Sequence, residues 1–350
     1  LVAKSLQDKQ LPADVAKLWI RLARQTATPD ETLIAAIRTA GNIEASAWKF
    51  SKQLSDQLVA KVRDNSDPHR GEAIYRLAAL QCQKCHTIGG VGGRVGPDMI
   101  SIGASAQVDY LVESLLAPAA KVKENFHSII VATDLGKVYT GIPVRRSATE
   151  IVLRDAEDRL ITIPTDAIDE EVEGRSLMPD GLLNELPEQD LVDLVRFLSE
   201  LGKGEFAIGN QPVVRKWEAL LPTQEAYSRI RRTSFDQATK NEEVFQWRLA
   251  SSQLSGELPT HDLPTFIDAT YVVKKGTMRT VFLRTSINVS TPGLATLKWN
   301  SPEHITLWVD GQPTPMDTTE LTLTKGRHQL TLAVDIIQRK EAVRLEIERS

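Results

Sequence analysis

The two cysteines of this chain stand three positions apart and are followed at once by a histidine, in the sequence Cys82-Gln83-Lys84-Cys85-His86. At this C-x-x-C-H spacing, two thiols can form thioethers to the vinyl groups of haem while the next residue ligates the iron. A third cysteine, which a four-thiolate zinc site would need, does not occur in the sequence. The motif therefore predicts one covalently attached haem c, with the surrounding chain folded around a flat macrocycle.

Three other interpretations of the cysteine pair stay open at this point. The pair can be a redox-active C-x-x-C dithiol, or it can supply half of a zinc site that distant histidines such as His69 or His127 complete. The motif can also be a chance match at the end of a helix. The sequence before the motif favours haem. Residues 70–80 have a short helical pattern with apolar residues on one face, and this pattern runs directly into Cys82.

A glycine-rich segment follows the motif and ends in Gly96-Pro97-Asp98-Met99, so that Pro97 comes 11 residues after His86 (97 − 86). Glycines let the backbone pass close to a macrocycle. Here the chain resembles the cytochrome c family, in which the proline of such a turn offers its carbonyl oxygen to the proximal histidine. A backbone acceptor fixes the ring and strengthens the histidine as a ligand. The resemblance gives this role to Pro97, whereas Gly96-Pro97 alone would indicate only a turn.

The second axial ligand is expected to be Met178, one of four methionines in the chain. It lies in residues 174–181, where proline and glycine indicate an irregular loop. The amphipathic helix predicted next has Pro187 at its first position. In cytochrome c domains, such a helix crosses the one before C-x-x-C-H. The rival ligands are His127 and Met99, but Met99 follows His86 by only 13 residues (99 − 86) and is expected to pack against the ring.

Met178 follows His86 by 92 residues (178 − 86), more than a minimal single-haem cytochrome needs. Within this span, alternating apolar residues predict two β-hairpins, residues 128–133 with 137–144 and residues 150–154 with 159–163. The order of C-x-x-C-H, G-P-D, a helix at residues 110–116, a β insertion at about 126–172 and a Ser-Leu-Met-Pro loop is similar to a haem-binding domain widespread in planctomycetes and verrucomicrobia. This resemblance covers residues 67–203, with Met99 where leucine is usual.

Two further domains are predicted on either side. Residues 1–66 have the pattern of amphipathic helices with Asp30 as an N-cap, and they suit the end of a helical-repeat array or a helical lead-in packed on the cytochrome. Residues 204–350 contain about seven strand patterns separated by turns, which indicates a β-sandwich. Two of its segments resemble jelly-roll modules of the galactose-binding-like and PA14 kind. The predicted fold class is a multidomain α+β chain: a helical segment, a c-type cytochrome domain with a small β insertion, and a jelly-roll-like antiparallel sandwich.

Charge and hydropathy exclude several function classes. With a net charge of −4 and dispersed lysines and arginines, the chain offers no basic surface for nucleic acid. No apolar run approaches the roughly 20 residues of a membrane-spanning helix, so no span is expected. The sequence starts at Leu1 without a signal peptide, so we expect a processed form or a piece of a longer protein. Because bacteria attach haem covalently outside the cytoplasmic membrane, the resemblance implies a periplasmic or other extracytoplasmic location.

The leading functional hypothesis is electron transfer by a single haem c with His86 and Met178 as axial ligands. Arg94 and Arg175 are candidate partners of the haem propionates. An apolar shell around the iron would raise its reduction potential, and its expected members are Ile74, Tyr75, Leu77, Met99, Leu111, Leu115, Leu194 and Phe197.

The resemblance also implies the electron source, which is a carbohydrate-oxidising dehydrogenase partner or a dehydrogenase module of the same polypeptide. This chain itself shows no dehydrogenase motif. Two alternatives belong to other function classes. One is a haem sensor or peroxidase-like protein, and the other is a carbohydrate-binding β-sandwich protein with an accessory haem domain.

Overall fold

The structure is a computed structural model that describes residues 5–6, 9–24, 30–44, 47–209, 212–240, 242–261, 263–268 and 278–349. The chain divides into two compact units, Leu1–Ile208 and Gly209–Ser350. The first unit combines helices with a small antiparallel sheet and the second is mostly antiparallel sheet, so the chain is a multidomain α+β protein. The division falls five residues beyond the boundary predicted after residue 203 (208 − 203), and residues 1–66 share a unit with residues 67–208.

The N-terminal part of the first unit includes, among its described residues, the helices α1 (Ala13–Arg24), α2 (Glu31–Ala40) and α3 (Lys52–Asp64). The N-cap predicted at Asp30 is confirmed, because its carboxylate accepts a hydrogen bond from the backbone N–H of Leu33 at 3.1 Å. The first two helices pack through a buried cluster of mainly branched apolar residues: Leu6, Ala16, Ile20, Ile34, Ile37 and Ile43. This burial on one face is what their amphipathic pattern predicts.

The N-terminal helices and the residues that follow them contact residues 184–190 through ion pairs and a hydrogen bond. Arg24 on α1 and Arg38 on α2 both form ion pairs with the carboxylate of Glu185. Trp48, before α3, donates from its indole Nε1 to the carbonyl oxygen of Leu186 at 3.1 Å. The described residues before Pro68 therefore pack on residues 184–190 of the same unit.

The helices of the predicted haem domain are α4 (Pro68–Tyr75), α5 (Cys82–Cys85), α6 (Ile102–Ser105), α7 (Val108–Leu116) and α8 (Glu188–Glu200). Helices α4 and α8 pack against each other. Their contact point is Gly71, where a Cβ would lie 2.0 Å from the carbonyl oxygen of Asp193 and 2.7 Å from Cβ of Phe197. Pro187 directly precedes α8 with a non-helical ψ of 154°, so it lies one residue before the position predicted for it.

A five-stranded antiparallel sheet forms the insertion, with strands β3 (Ile129–Thr133), β4 (Val138–Arg146), β5 (Glu150–Arg154), β6 (Leu160–Pro164) and β7 (Ile168–Glu173) in the order β6-β5-β4-β3-β7. Both predicted hairpins are confirmed. Strand β7 was not predicted, because its acidic sequence has low β-propensity. It is an edge strand exposed over nearly its whole length. A smaller hairpin, β1 (Thr87–Ile88) with β2 (Val91–Gly92), follows the C-x-x-C-H motif.

The second unit contains two antiparallel sheets. The larger has the order β14-β13-β16-β11-β8-β9 with β10 paired to β11, and the smaller has the order β15-β12-β17. The strands are β8 (Lys216–Leu220), β9 (Trp247–Ser251), β10 (Phe266–Asp268), β11 (Met278–Val289), β12 (Gly293–Trp299), β13 (Ile305–Val309), β14 (Gln312–Thr314), β15 (Glu320–Leu323), β16 (Gly326–Asp335) and β17 (Leu345–Arg349). Both sheets contribute to one buried cluster, which includes Leu283, Leu297 and Leu332. This shared core is the arrangement of a β-sandwich.

Six of the seven strand patterns predicted in this unit are strands, and the seventh, residues 270–273, lies outside the described residues. The outer face of the larger sheet is covered by α9 (Gln224–Arg232) and by the 3₁₀ turn Phe235–Thr239, which pack on Phe282 and Trp308. Within the described part of the chain, no helix has the length and apolarity needed to cross a membrane.

Candidate haem attachment site

Cys82 and Cys85 lie at the two ends of α5, a single helical turn. The backbone N–H of His86 donates to the carbonyl oxygen of Cys82 at 2.8 Å and closes this turn. Gln81, just before it, has a left-handed φ of 54°, which is uncommon for a residue with a side chain. Both cysteines are half-buried and neither is in a disulfide. The two thiols are therefore held on one rigid turn directly ahead of the histidine.

The surroundings of the two thiols keep them protonated. Burial raises the pKa of Cys82 to about 12. Burial also raises the pKa of Cys85, an effect that Lys84 opposes and the nearby carboxylates of Asp158 and Glu157 reinforce. A redox-active dithiol needs an attacking cysteine with a lowered pKa, so that thiolate is present at neutral pH. The environment of this pair raises the pKa of both thiols instead, so it does not favour the dithiol interpretation.

His86 is held by the carbonyl group of Pro97. Its ring nitrogen Nδ1 lies 2.9 Å from the Pro97 carbonyl oxygen, which is the contact that the resemblance to cytochrome c implied. Burial lowers the pKa of His86 while this hydrogen bond raises it, and the net change is downward, so the ring is neutral at pH 7. A carbonyl oxygen only accepts, so Nδ1 carries the proton and donates it. In this tautomer Nε2 carries the lone pair that a metal ligand requires.

The loop after the C-x-x-C-H motif passes so close to the motif that two of its positions have room only for glycine. A Cβ at Gly93 would lie 1.8 Å from the carbonyl oxygen of Lys84, and a Cβ at Gly96 would lie 2.5 Å from Cε1 of the His86 ring. The backbone N–H of Gly96 also donates to the carbonyl oxygen of Cys85 at 2.8 Å. The loop backbone therefore packs on the histidine ring and restricts its orientation.

Tyr75, at the end of α4, provides a test of whether a bound group fits here. Its hydroxyl group is buried and has no hydrogen-bond partner among the described residues. Burial raises the pKa of Tyr75, and nearby groups act in the same direction, with Cys82 first among them. A buried hydroxyl without a partner costs about 1–3 kcal/mol, so such an atom marks a place where a polar atom of a ligand or a water belongs. A polar edge of a haem fits this requirement.

The predicted apolar shell is largely buried. Ile74, Tyr75, Leu111, Leu194 and Phe197 are each at most 4% exposed, and Leu77, Met99 and Leu115 are half-buried. The rings of Tyr75 and Phe197 contact each other with centroids 5.6 Å apart. The residues expected to form the apolar shell are therefore mostly removed from solvent, and two of them, Tyr75 on α4 and Phe197 on α8, contact each other.

The tip of the second insertion hairpin lies against the motif, which the sequence analysis did not predict. Asp158 Oδ2 accepts a hydrogen bond from the backbone N–H of Arg94 at 3.2 Å, and Glu157 Oε1 lies 4.0 Å from Nζ of Lys84. Asp155 shapes this turn by accepting from the backbone N–H of Glu157 at 2.9 Å. The acidic turn is visible in the sequence, but its contact with a loop more than 60 residues away is not. The side chain of Arg94, a candidate propionate partner, is exposed.

Met178 lies half-buried in the loop between β7 and α8. Ser128, next to β3, donates from Oγ to the carbonyl oxygen of Arg175, and the backbone N–H of Gly174 donates to the carbonyl oxygen of Ser128 at 2.8 Å. The backbone N–H of Met178 donates to Ser176 Oγ at 3.2 Å. The insertion therefore anchors the start of the methionine loop. Iron ligation by Met178 stays a prediction, as does a propionate contact for Arg175, whose side chain is exposed.

The rival ligands have other contacts. His127 lies 3.9 Å from Glu173, and His69 lies 3.5 Å from Glu205 with its ring against Phe206. Met99 lies close to the motif, since its backbone N–H donates to the carbonyl oxygen of Thr87 at 2.9 Å. Across the described ranges, no group of three or more His, Cys, Asp or Glu side chains could hold a metal ion. The zinc site that His69 or His127 would complete is therefore not assembled among these residues.

Comparisons with known proteins add no relative to this description. No protein-family model matches the sequence, and no curated protein matches it.

Proposed function

We propose that the first unit carries one covalently bound haem c and that the protein transfers electrons. The observation that supports this most directly is the geometry of the C-x-x-C-H turn. Its two thiols share one short helix, and the His86 ring is oriented by the Pro97 carbonyl at 2.9 Å with Nε2 left as the ligand nitrogen. None of the contacts of a zinc site or of an activated dithiol accompanies this arrangement in the described part of the chain.

Each residue has a definite task in this proposal. Cys82 and Cys85 would form the thioethers, and His86 would ligate the iron through Nε2 while donating from Nδ1 to Pro97. Met178 would supply a thioether ligand from the opposite side, which stabilises ferrous iron and gives a high potential. When bound, the haem supplies a one-electron Fe(III)/Fe(II) couple.

The proposed partner is a carbohydrate-oxidising dehydrogenase that delivers electrons outside the cytoplasmic membrane. Family resemblance supports this partner and this location. If His86 and Met178 both ligated the iron, neither substrate nor gas would bind there, which would suit electron transfer rather than ligand binding. Carbon monoxide binding by the reduced protein at neutral pH would favour the sensor or peroxidase-like alternative instead.

The direct test is to express the full chain in a bacterial host that matures c-type cytochromes. We expect a red protein whose mass exceeds that of the polypeptide by one haem. Its pyridine haemochrome spectrum should be that of a haem attached through two thioether bonds. Cys82→Ala with Cys85→Ala should abolish covalent attachment, whereas Gln83→Ala, a change between the two cysteines, should retain it. A colourless wild-type protein of unmodified mass would refute the proposal.

A further inference from the structure

The second unit contains a cleft of about 570 Å³ whose side chains are all polar. It is lined by Thr239, Arg284, Asp310, Gly311, Arg327 and Gln329. A volume of this size lies within the range of about 300–1,000 Å³ that is usual for small-molecule sites. We propose that this cleft binds a small organic anion through a carboxylate or phosphate group.

Strand register brings the cationic residues to one face of the larger sheet. On the antiparallel pair β11 and β16, Ser286 lies opposite Gln329, with Arg284 and Arg327 within the same paired stretch. Their neighbour Leu283 points into the core between the sheets. Because side chains alternate between the faces of a strand, Arg284, Arg327 and Gln329 lie on the outer face.

Arg327 is the main recognition group. Arg327 is exposed, and its guanidinium donates from Nε and Nη2 to Ser286 Oγ at 3.1 and 3.0 Å, which orients it on the cleft wall. It forms no ion pair with any carboxylate in the described ranges, so its charge is not compensated there. A planar guanidinium that is already positioned binds a carboxylate or a phosphate with little loss of side-chain entropy.

Arg284 adds a second positive group that is rigid for a different reason. Its guanidinium carbon lies 4.3 Å from the ring centroid of Trp247, and its Nε donates to Glu218 at 2.6 Å. Stacking on an aromatic ring and a charge-assisted hydrogen bond together fix the side chain. The carboxylate of Glu218 is thereby engaged by Arg284 and does not oppose an anion at full charge.

The carboxylate inside the cleft is likewise engaged. Asp310 Oδ1 accepts from the backbone N–H of Gln329 at 2.8 Å, and Oδ2 lies 2.6 Å from Nδ1 of His328. The hydrogen bond to Asp310 raises the pKa of His328, with a second bond to Thr324 acting in the same direction. The carboxylates of Asp310 and Glu218 thus accept hydrogen bonds within the protein, while two guanidinium groups line the cleft. This balance suits a ligand that accepts hydrogen bonds and carries negative charge.

Isothermal titration calorimetry on the full chain tests this proposal, with inorganic phosphate, glucose 6-phosphate, glucuronate and glucose as probes. We expect saturable binding of at least one anion and none of glucose at the same concentrations. Binding of glucuronate but not phosphate would assign a carboxylate ligand, and the reverse result a phosphate ligand.

Arg327→Gln should weaken the affinity for the anion at least tenfold. The control Arg232→Gln removes an exposed arginine from α9, outside the cleft, and should leave affinity unchanged. Anion binding should also change the fluorescence of Trp247, an effect that Trp247→Phe removes. The proposal is wrong if no anion binds saturably, if both arginine variants lose affinity equally, or if glucose binds as tightly as the anions. The far-ultraviolet circular dichroism spectrum of Arg327→Gln is compared with that of the wild type. Matching spectra show that the variant is folded, so that its loss of affinity reports on the cleft.

Discussion

At the scale of single residues, the orientation of the His86 ring depends on a position that cannot accept a side chain. In Gly96→Ala, the new Cβ would lie 2.5 Å from Cε1 of the ring, so the ring or the loop has to move. We expect a loss of about 1–3 kcal/mol in the free energy of unfolding, the usual cost of overpacking. Urea unfolding of the haem-loaded protein measures it.

Gly209→Ala is the matched control, because a Cβ there meets no atom within 4 Å. Equal unfolding midpoints for Gly96→Ala and Gly209→Ala would show that the close approach to His86 contributes nothing. A shifted midpoint with an unchanged haem spectrum would place the effect on folding rather than on the iron.

The second prediction at this scale concerns the distal ligand. Met178→Ala should abolish the sulfur-to-iron charge-transfer band of the oxidised protein and lower its reduction potential, because the soft thioether that stabilises ferrous iron is lost. Met99→Leu, which substitutes the residue usual in the resembling domain, should leave the band in place. If Met178→Ala retains the band, another sulfur ligand such as Met99 becomes the candidate. If the wild-type protein already lacks the band and Met178→Ala leaves its spectrum unchanged, His127 becomes the candidate.

The roles of residues near the motif could be predicted from the sequence because the contacts between these residues are local. The spacing from Cys82 to Pro97 spans 15 residues (97 − 82), and a short segment has few ways to fold around a histidine. The contacts of Tyr75 and Asp158 depend on the packing of α4 against α8 and on the position of a hairpin tip. Such long-range placement is set by tertiary packing, which no local pattern encodes.

At the scale of elements, hairpins with alternating apolar residues were predictable, and the acidic strand β7 was not. In strand β6, Ile161 and Ile163 alternate with exposed residues, and strand β5 is a short apolar run with three buried residues at its centre. Both patterns are local signals. Strand β7 consists almost entirely of exposed residues and exists because β3 offers it a free edge. Its pairing depends on the neighbouring strand rather than on its own propensity.

The turn between β13 and β14 gives a pH prediction, because His328 of β16 binds Asp310 in that turn. The pKa of His328 is raised in the folded protein, so its contribution to stability is present below the ordinary histidine pKa of about 6.5 and is lost as pH rises through the raised value. The stability difference between wild type and His328→Gln should therefore be larger at about pH 6 than at about pH 9.

Urea unfolding midpoints of both proteins at the two pH values measure this difference. Asp310→Asn provides the complementary control, since it removes the partner that raises the histidine pKa. In its background, His328→Gln should have a smaller pH-dependent effect. A difference that is independent of pH, or larger at the higher pH, would contradict the assignment.

At the scale of the whole molecule, the N-terminal helices belong to the predicted haem domain rather than to a separate one. Their amphipathic pattern showed that each buries one face, but not what covers it. The structure joins Arg21 to Asp190 at 2.7 Å and both Arg24 and Arg38 to Glu185, close to the methionine loop. The lead-in thereby stabilises the segment that connects the proposed distal ligand to α8.

Removal of residues 1–49 tests this dependence, because α3 and its N-cap at Ser51 remain intact. We expect a lower thermal midpoint for the haem-containing unit and a weakened charge-transfer band, since Asn184 and Leu186 lose their hydrogen bonds to Trp48. The triple variant Arg21→Gln, Arg24→Gln, Arg38→Gln keeps the helices and removes only partly exposed ion pairs, each worth about 0–1 kcal/mol. The triple variant should lower the thermal midpoint less than the deletion does, because the packed helices and the Trp48 contacts persist. A deletion that changes neither the midpoint nor the band would contradict this dependence and would favour the helical-repeat interpretation for the deleted residues.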